Sequence, residues 1–443
     1  MQFIYLIISL YFGRKNPLYF LIFPIALVSG PGAFIDPRTV MIADDVFIIG
    51  KNIYKDVIII YLILVVWYLS RRCNYKLVSK TPMGLYGLYI LILVFITFAQ
   101  SGTDFQPINI MRLFTHMILG YFLLLLIFST ASTKQFISFF NMLFVATGIL
   151  SICYVTNSAN VIPFFYQKTL YQKIDIGNVS FYRDFGTIPY FSHLLFILAY
   201  SLVLTKSNIF NRKAVIFVLV TYPFVLLYTF TRSILITAVI ECVIINVILF
   251  IKSPRSIFKL SIIFLVVIVM INILQSAFHD EYFYFSKRMG SAASKGRYEG
   301  NVITRIAYHL KANEILKKNN AILFGDGLNK KHEPMMDAIG AWTADSTIPF
   351  FLVYTGYVGV IFYYFIGWRI LRRIIYRLKK YFNPLSVALF AFILVSLLSS
   401  LLNGGYRWGD PFIFFPYVLV IIVENLFNNT SSIENTGMIK ELE

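Results

Sequence analysis

The feature that most constrains this chain is a succession of long apolar runs separated by short basic loops. Residues 57–69, 90–99, 118–128, 215–230, 234–251, 260–274 and 348–368 each run with few or no charges. A helix needs roughly 20 mostly apolar residues to cross ~30 Å of hydrocarbon, and these runs form the apolar cores of segments of that order. Strict two-residue alternation is missing from them, which argues against β-barrel strands. Composition points the same way: 58% of the 443 residues are hydrophobic and only 14% are charged. A soluble chain carries charge at about a quarter of its positions. The sequence therefore predicts an all-α polytopic membrane protein with about 12–13 transmembrane helices.

The predicted spans are 2–12 (short), 17–34, 55–70, 84–100, 108–129, 136–155, 187–205, 214–230, 232–251, 259–277, 345–367, 384–402 and 411–427. Residues 1–427 make one transmembrane domain, and the polar tail 428–443 reads as disordered. Four short loops concentrate Lys and Arg: Arg71 to Lys80, Lys206 to Lys213, Lys252 to Lys259, and Arg369 to Lys380. With these spans all four fall on one side, which the positive-inside rule makes cytoplasmic. The tail falls there too. The net charge of +18 is thus a property of loops beside a lipid bilayer, not a nucleic-acid footprint. Cys73, Cys153 and Cys242 lie far apart in or beside spans and give neither a CxxC pair nor a disulfide framework. No His/Asp/Glu set has metal-ligand spacing, and no cofactor motif is present; His279-Asp280-Glu281 comes nearest.

Two longer segments fall on the outer face, 156–186 and 278–344. The larger carries Lys287, Arg288, Lys295, Arg297, Arg305, Lys311, Lys317, Lys318, Lys330 and Lys331. A basic surface there suits an anionic ligand, although the lysines equally serve to solvate a helix. Residues 302–316 place Ile303, Ile306, His309/Leu310 and Asn313 at helical spacing, which predicts an amphipathic helix at the membrane surface. Leu323-Phe-Gly-Asp-Gly327 reads as a turn that ends it.

Arg232 is the most informative single residue. It sits in Thr229-Phe-Thr-Arg-Ser233, between two apolar stretches with no other loop. It is either an interfacial anchor or an anion site, since its planar fork matches phosphate oxygens. Asp345 stands at the outer entrance of a span, as a helix cap or as a general base. Gly356 and Gly359 follow in that span at a spacing that permits close helix packing. Further candidate ligands are His309, one turn after Arg305, and Arg183 in the smaller outer loop. Arg407 and Asp410 flank Trp408 in the last outer loop, where Tyr406 and Trp408 stack on sugar or belong to an aromatic belt.

In this order, the Thr-Arg-Ser hairpin, Thr304-Arg305-Ile306, Leu323 to Gly327 and the Asp345…Gly356…Gly359 span resemble the O-antigen polymerase (Wzy) and O-antigen ligase superfamily. The resemblance covers residues 229–360; the flanking spans agree in number and hydropathy. It matches the family's hairpin arginine to Arg232 and its loop arginine to Arg305. Where the ligase branch has a histidine base, this chain has Asp345, which favours the polymerase branch. The resemblance implies a metal-independent glycosyltransferase of the bacterial inner membrane, with its site facing the periplasm. Its substrate would be an undecaprenyl-diphosphate-linked oligosaccharide, with a chain-length regulator as a further partner. Asp345, Arg232 and Arg305 would carry catalysis; His309, Arg183, Arg288, Arg297, Arg407 and Asp410 would bind substrate. The competing readings are a ligase using lipid A core as acceptor, and a flippase or exporter of lipid-linked saccharide, for which Glu241 is the clearest ionisable residue deep in a span. A lipid-phosphate-sugar glycosyltransferase would instead use Asp36, Asp44 and Asp45.

Overall fold

A computed structural model describes residues 2–23, 53–71, 131–158, 172–176, 179–183, 188–228, 232–252, 300–325, 347–380 and 382–400, with scattered helical positions within 88–95, 123–130 and 419–423. The described chain is mostly helical. The helices are α1 (Gln2–Gly13), α2 (Ile53–Ser70), α3 (Thr133–Ser158), α4 (Ile188–Leu204), α5 (Arg212–Tyr228), α6 (Arg232–Lys252), α7 (Gly300–Lys318), α8 (Thr347–Lys380) and α9 (Pro384–Ser399). Among the described residues, two segments are long and apolar enough to cross a membrane, Thr133–Thr156 in α3 and Ile234–Lys252 in α6. Shorter apolar helices occupy Ile60–Ser70, Ser192–Leu204 and Pro384–Ser399.

The helix starts are written locally. Ser132 and Gln135 form a reciprocal capping box before α3: the Ser132 N–H donates to Gln135 Oε1 at 2.9 Å, and the Gln135 N–H to Ser132 Oγ at 3.3 Å. Asn383 caps α9, its Oδ1 accepting from the Leu385 N–H at 2.9 Å, with Pro384 at the first helical position. Asn383→Ala should therefore cost about 0.5–2 kcal/mol, read as a lowered thermal midpoint in detergent.

The core is a helical bundle with α4 at its centre. α3 packs along α5, α4 contacts α3, α5, α6 and α9, and α8 packs on α7 and α9. Large aromatics fill it: Phe139, Phe140, Phe144, Tyr154, Tyr222 and Phe392 are fully buried. Polar side chains link the helices where they cross. Ser201 Oγ donates to the Pro384 carbonyl at 2.7 Å, and Asn246 Nδ2 to the Tyr200 hydroxyl at 2.7 Å. Outward faces are apolar too. On α6, Ile236, Val239, Ile240, Val243, Val247 and Phe250 are all exposed, at helical spacing.

Several sequence expectations need correction. The segment 156–186, which the sequence reads as a loop, contains two paired strands. β1 (Gln172–Ile176) and β2 (Val179–Arg183) pair antiparallel, from Gln172 with Arg183 to Ile176 with Val179. In the sequence, the Gly177-Asn178 pair between the two runs is a two-residue hairpin signal. The span placed at 345–367 does not end in a basic loop: α8 runs 34 residues to Lys380, so Arg369 to Lys380 are helical. Long straight-chain basic residues are good helix formers, and the preceding apolar helix nucleates them. The first segment is a 12-residue helix, which at ~1.5 Å per residue is about 18 Å long, well short of a bilayer core. The segment 17–34 opens as a 3-10 turn, Pro17–Leu21, capped by Asn16. The spans predicted at 259–277 and 411–427 lie outside the described residues or largely so, as does the tail 428–443.

Candidate functional site

The junction between α7 and α8 brings together segments far apart in sequence. Gly356 interrupts α8, with φ 62° and ψ −170°. This corner of backbone space is open essentially to glycine alone. The break frees N–H groups on its C-terminal side. Tyr357 N donates to the Ile322 carbonyl at 3.1 Å and Val358 N to the Leu323 carbonyl at 3.0 Å. The turn 321–325 thus seats on the opened helix and pairs two donors that the break deprives of helical partners. On the other side of the break, the Tyr89 hydroxyl donates to the Thr355 carbonyl at 2.5 Å. The Tyr89 ring stacks on Phe362 with centroids 5.3 Å apart. Gly356 therefore serves a helix break and not the helix-on-helix packing that its spacing from Gly359 predicts.

α7 ends at Lys318, before the Leu323–Gly327 turn that the sequence pattern makes its stop. Asn320 adopts a left-handed φ of 52°, the Ala321 N–H reaches the Leu316 carbonyl at 2.8 Å, and the Asn320 N–H reaches that of Lys317 at 3.2 Å. These are the paired bonds of a Schellman stop, with asparagine in the position glycine usually takes. The helix thus ends just before the turn, and Gly325 (φ 76°) helps the turn fold back toward Gly356. The buried face of α7 is Ala312 and Leu316, flanked by Tyr308 and Ile315. Leu316 packs with Ile348 and Leu352 of α8. Ile306 and Leu310, which the sequence pattern assigns to the apolar face of a helix at the membrane surface, are exposed. Lys311, Lys317 and Lys318 are exposed beside them. Asn313 is held between helices: the Tyr357 hydroxyl donates to its Oδ1 at 2.5 Å, and its Nδ2 donates to the His309 carbonyl at 3.0 Å.

Arg232 is the first residue of α6, and Arg305 and His309 lie in α7, one turn apart. Arg183 ends β2, opposite Gln172. Arg288, Arg297, Asp345, Arg407 and Asp410 lie outside the described residues. α8 begins at Thr347, two residues after Asp345. Among the described residues no group of three or more His, Cys, Asp or Glu is arranged to hold a metal ion. No family model matches the chain, and no curated protein matches it.

A second polar site was not anticipated. His193 Nε2 of α4 lies 2.6 Å from Glu241 Oε2 of α6. The two residues are only 6% and 1% exposed, so the pair is sealed from solvent inside the bundle. Tyr222 of α5 and Phe392 of α9 flank the imidazole, with ring centroids 6.1 and 5.8 Å away. His193 Nδ1 is buried with no hydrogen-bond partner among the described residues. The available signal was a histidine in the apolar stretch Ser192-His-Leu-Leu-Phe196 and a glutamate in another. Their pairing across 48 residues was not legible.

Proposed function

We propose that the chain is a multi-pass membrane glycosyltransferase of the O-antigen polymerase type. It would transfer a growing glycan from undecaprenyl diphosphate to the sugar of another lipid-linked repeat unit, at the periplasmic face of a bacterial inner membrane. The observation that carries the reading is the α7–α8 junction. The ordered motifs that resemble the family, the Arg305 helix, the Leu323 turn and the Gly356 span, meet in space although up to about 50 residues separate them. The apolar outward faces of α2, α3 and α6 support the membrane setting. So does Trp67, whose exposed ring lies 3.9 Å from the Arg71 guanidinium at the end of α2, as in an interfacial belt.

In this mechanism the acceptor hydroxyl oxygen attacks the anomeric carbon of the donor glycan. A new glycosidic C–O bond forms as the carbon–phosphate-oxygen bond breaks. Asp345 takes the hydroxyl proton, and undecaprenyl diphosphate leaves with the bonding electrons. Arg232 and Arg305 stabilise the charge that gathers on the diphosphate. His309, Arg183, Arg288, Arg297, Arg407 and Asp410 are the remaining candidates for substrate contact.

The test is incubation of the purified protein in detergent with an undecaprenyl-diphosphate-linked repeat unit, read as a glycan ladder on a gel. The wild type should give a ladder. Arg232→Ala, Arg305→Ala and Asp345→Asn should each lower its rate by 10²-fold or more, on the order of one lost charge-stabilising or proton-transfer group. Transfer onto lipid A core in place of a ladder would indicate a ligase.

The buried His193–Glu241 pair favours one second reading, a proton-coupled exporter of lipid-linked saccharide, because paired ionisable groups inside a bundle recur in proton relays. That reading requires proton-dependent translocation by vesicles without new glycosidic bonds, and abolition of it in Glu241→Gln.

A further inference from the structure

We propose that Asn313 and Tyr357, together with the helix break at Gly356, clamp α7 onto α8 and so act as positioning residues for the Arg305–His309 face. The inference rests on the functional reading above for what α7 contributes, and on geometry alone for the clamp. Three kinds of contact join α7 and the turn after it to residues 348–358 of α8. The first is the pair of backbone bonds from Tyr357 and Val358 to the carbonyls of Ile322 and Leu323. The second is the 2.5 Å bond from the Tyr357 hydroxyl to Asn313, in the middle of α7. The third is the apolar contact of Leu316 with Ile348 and Leu352.

These contacts fix different degrees of freedom. The backbone bonds anchor the C-terminal end of α7 through its turn. Apolar packing presses the helix onto α8 but leaves it free to slide, because dispersion is non-directional. A helix so held still rotates about its own axis. The Tyr357–Asn313 bond is directional and lies one turn from His309 and two from Arg305, so it sets that rotation. Asn313 is itself oriented by donating Nδ2 to the His309 carbonyl, which fixes its Oδ1 toward Tyr357. Tyr357 lies immediately after Gly356, so its ring direction follows from the φ of 62° that only glycine readily adopts. A sugar-transfer site needs its arginine held to a fraction of an ångström, since small misplacements are costly to rate.

The experiment compares wild type with Tyr357→Phe and Asn313→Leu by amide hydrogen exchange over 303–318 and by the initial rate of ladder formation at several donor concentrations. Tyr357→Phe keeps the ring and the packing and deletes only the hydroxyl. The expected result is amide exchange about five- to tenfold faster over 303–313, the scale of one lost hydrogen bond. It is accompanied by a lower kcat with little change in KM in both variants. Unchanged exchange in both variants overturns the clamp. Faster exchange with unchanged kcat overturns the positioning role. If the wild type forms no ladder, the functional reading fails, and the exchange measurement still decides the clamp by itself.

Discussion

Glu241→Ala is expected to be among the most destabilising single substitutions in this chain. It removes a carboxylate that is 1% exposed and leaves His193 Nε2 unpaired at the centre of the bundle. An orphaned buried polar group costs about 1–3 kcal/mol. The cavity left by the missing carboxyethyl group adds to that cost, because neighbouring helices relax only partly. The rings of Tyr222 and Phe392 lie tilted against the imidazole, with centroids 6.1 and 5.8 Å away. Glu241→Gln separates the hydrogen bond from the charge. Its amide oxygen still accepts from the Nε2–H and fills the same volume. The Gln variant should therefore melt near wild type, while the Ala variant melts far below it, in thermal unfolding of the detergent-solubilised protein. A Gln variant as unstable as Ala would show that the ionised carboxylate itself holds α4 to α6. His193→Ala should match Glu241→Ala, and the double variant should cost much less than the sum of the two, since both delete one shared bond.

The hydrogen economy of this pair has a consequence for function. With the carboxylate ionised, Nε2–H donates to it and the bare Nδ1 needs no acceptor. With the carboxyl protonated, it donates to Nε2 and Nδ1 carries a hydrogen that finds no acceptor among the described residues. The first arrangement buries a charge and leaves Nδ1 an acceptor without a donor among the described residues; the second removes the charge but leaves Nδ1–H a donor without an acceptor there. A group near Nδ1 that accepts a hydrogen bond would tip this balance, which makes the pair the natural place to look for proton dependence if the exporter reading holds.

Gly356→Ala should undo the α7–α8 junction. At φ 62° and ψ −170° a side chain strains the backbone by at least about 1–3 kcal/mol. Space is the larger obstacle: a Cβ on residue 356 would fall on the Leu323 carbonyl and the Gly325 amide nitrogen. Both are backbone atoms, so no rotamer change relieves the collision. The cheapest escape is for the turn 321–325 to leave its seat, breaking the bonds to Tyr357 and Val358 together. Limited proteolysis should then cut within 319–325 far faster than in wild type. Helical α8 closed across the former break is the alternative product, and either outcome separates α7 from Tyr357. Resistance to proteolysis equal to wild type would falsify the view that glycine is required by close approach. Gly325→Ala should act in the same direction, since its φ of 76° also disfavours a side chain.

How far the sequence went can be judged from single residues. The apolar runs at 136–155, 232–251 and 384–402 became α3, α6 and α9 with bounds shifted by a few residues, because helical hydropathy is a local property. Arg232 stands at the start of α6 as the Thr-Arg-Ser hairpin implied, and the loop pattern around Arg305 is the helix α7. The caps at Ser132, Asn320 and Asn383 rest on local side-chain and backbone bonds but were not read from the sequence. Three features were decided elsewhere. Gly356 and Gly359 look alike in sequence, a spacing compatible with plain helix packing; the carbonyls of a turn about 30 residues upstream make Gly356 a break. The buried face of α7 is chosen by where α8 lies and not by its own weak amphipathicity, so Ala312 and Leu316 are covered while Leu310 is not. His193 and Glu241 each look like an isolated polar residue in an apolar helix until α4 and α6 cross. Local sequence determines which segments become helices and where they stop, because those terms act within a turn or two. Only tertiary packing decides which of their polar and glycine positions meet, because that depends on helix crossings with no local signature.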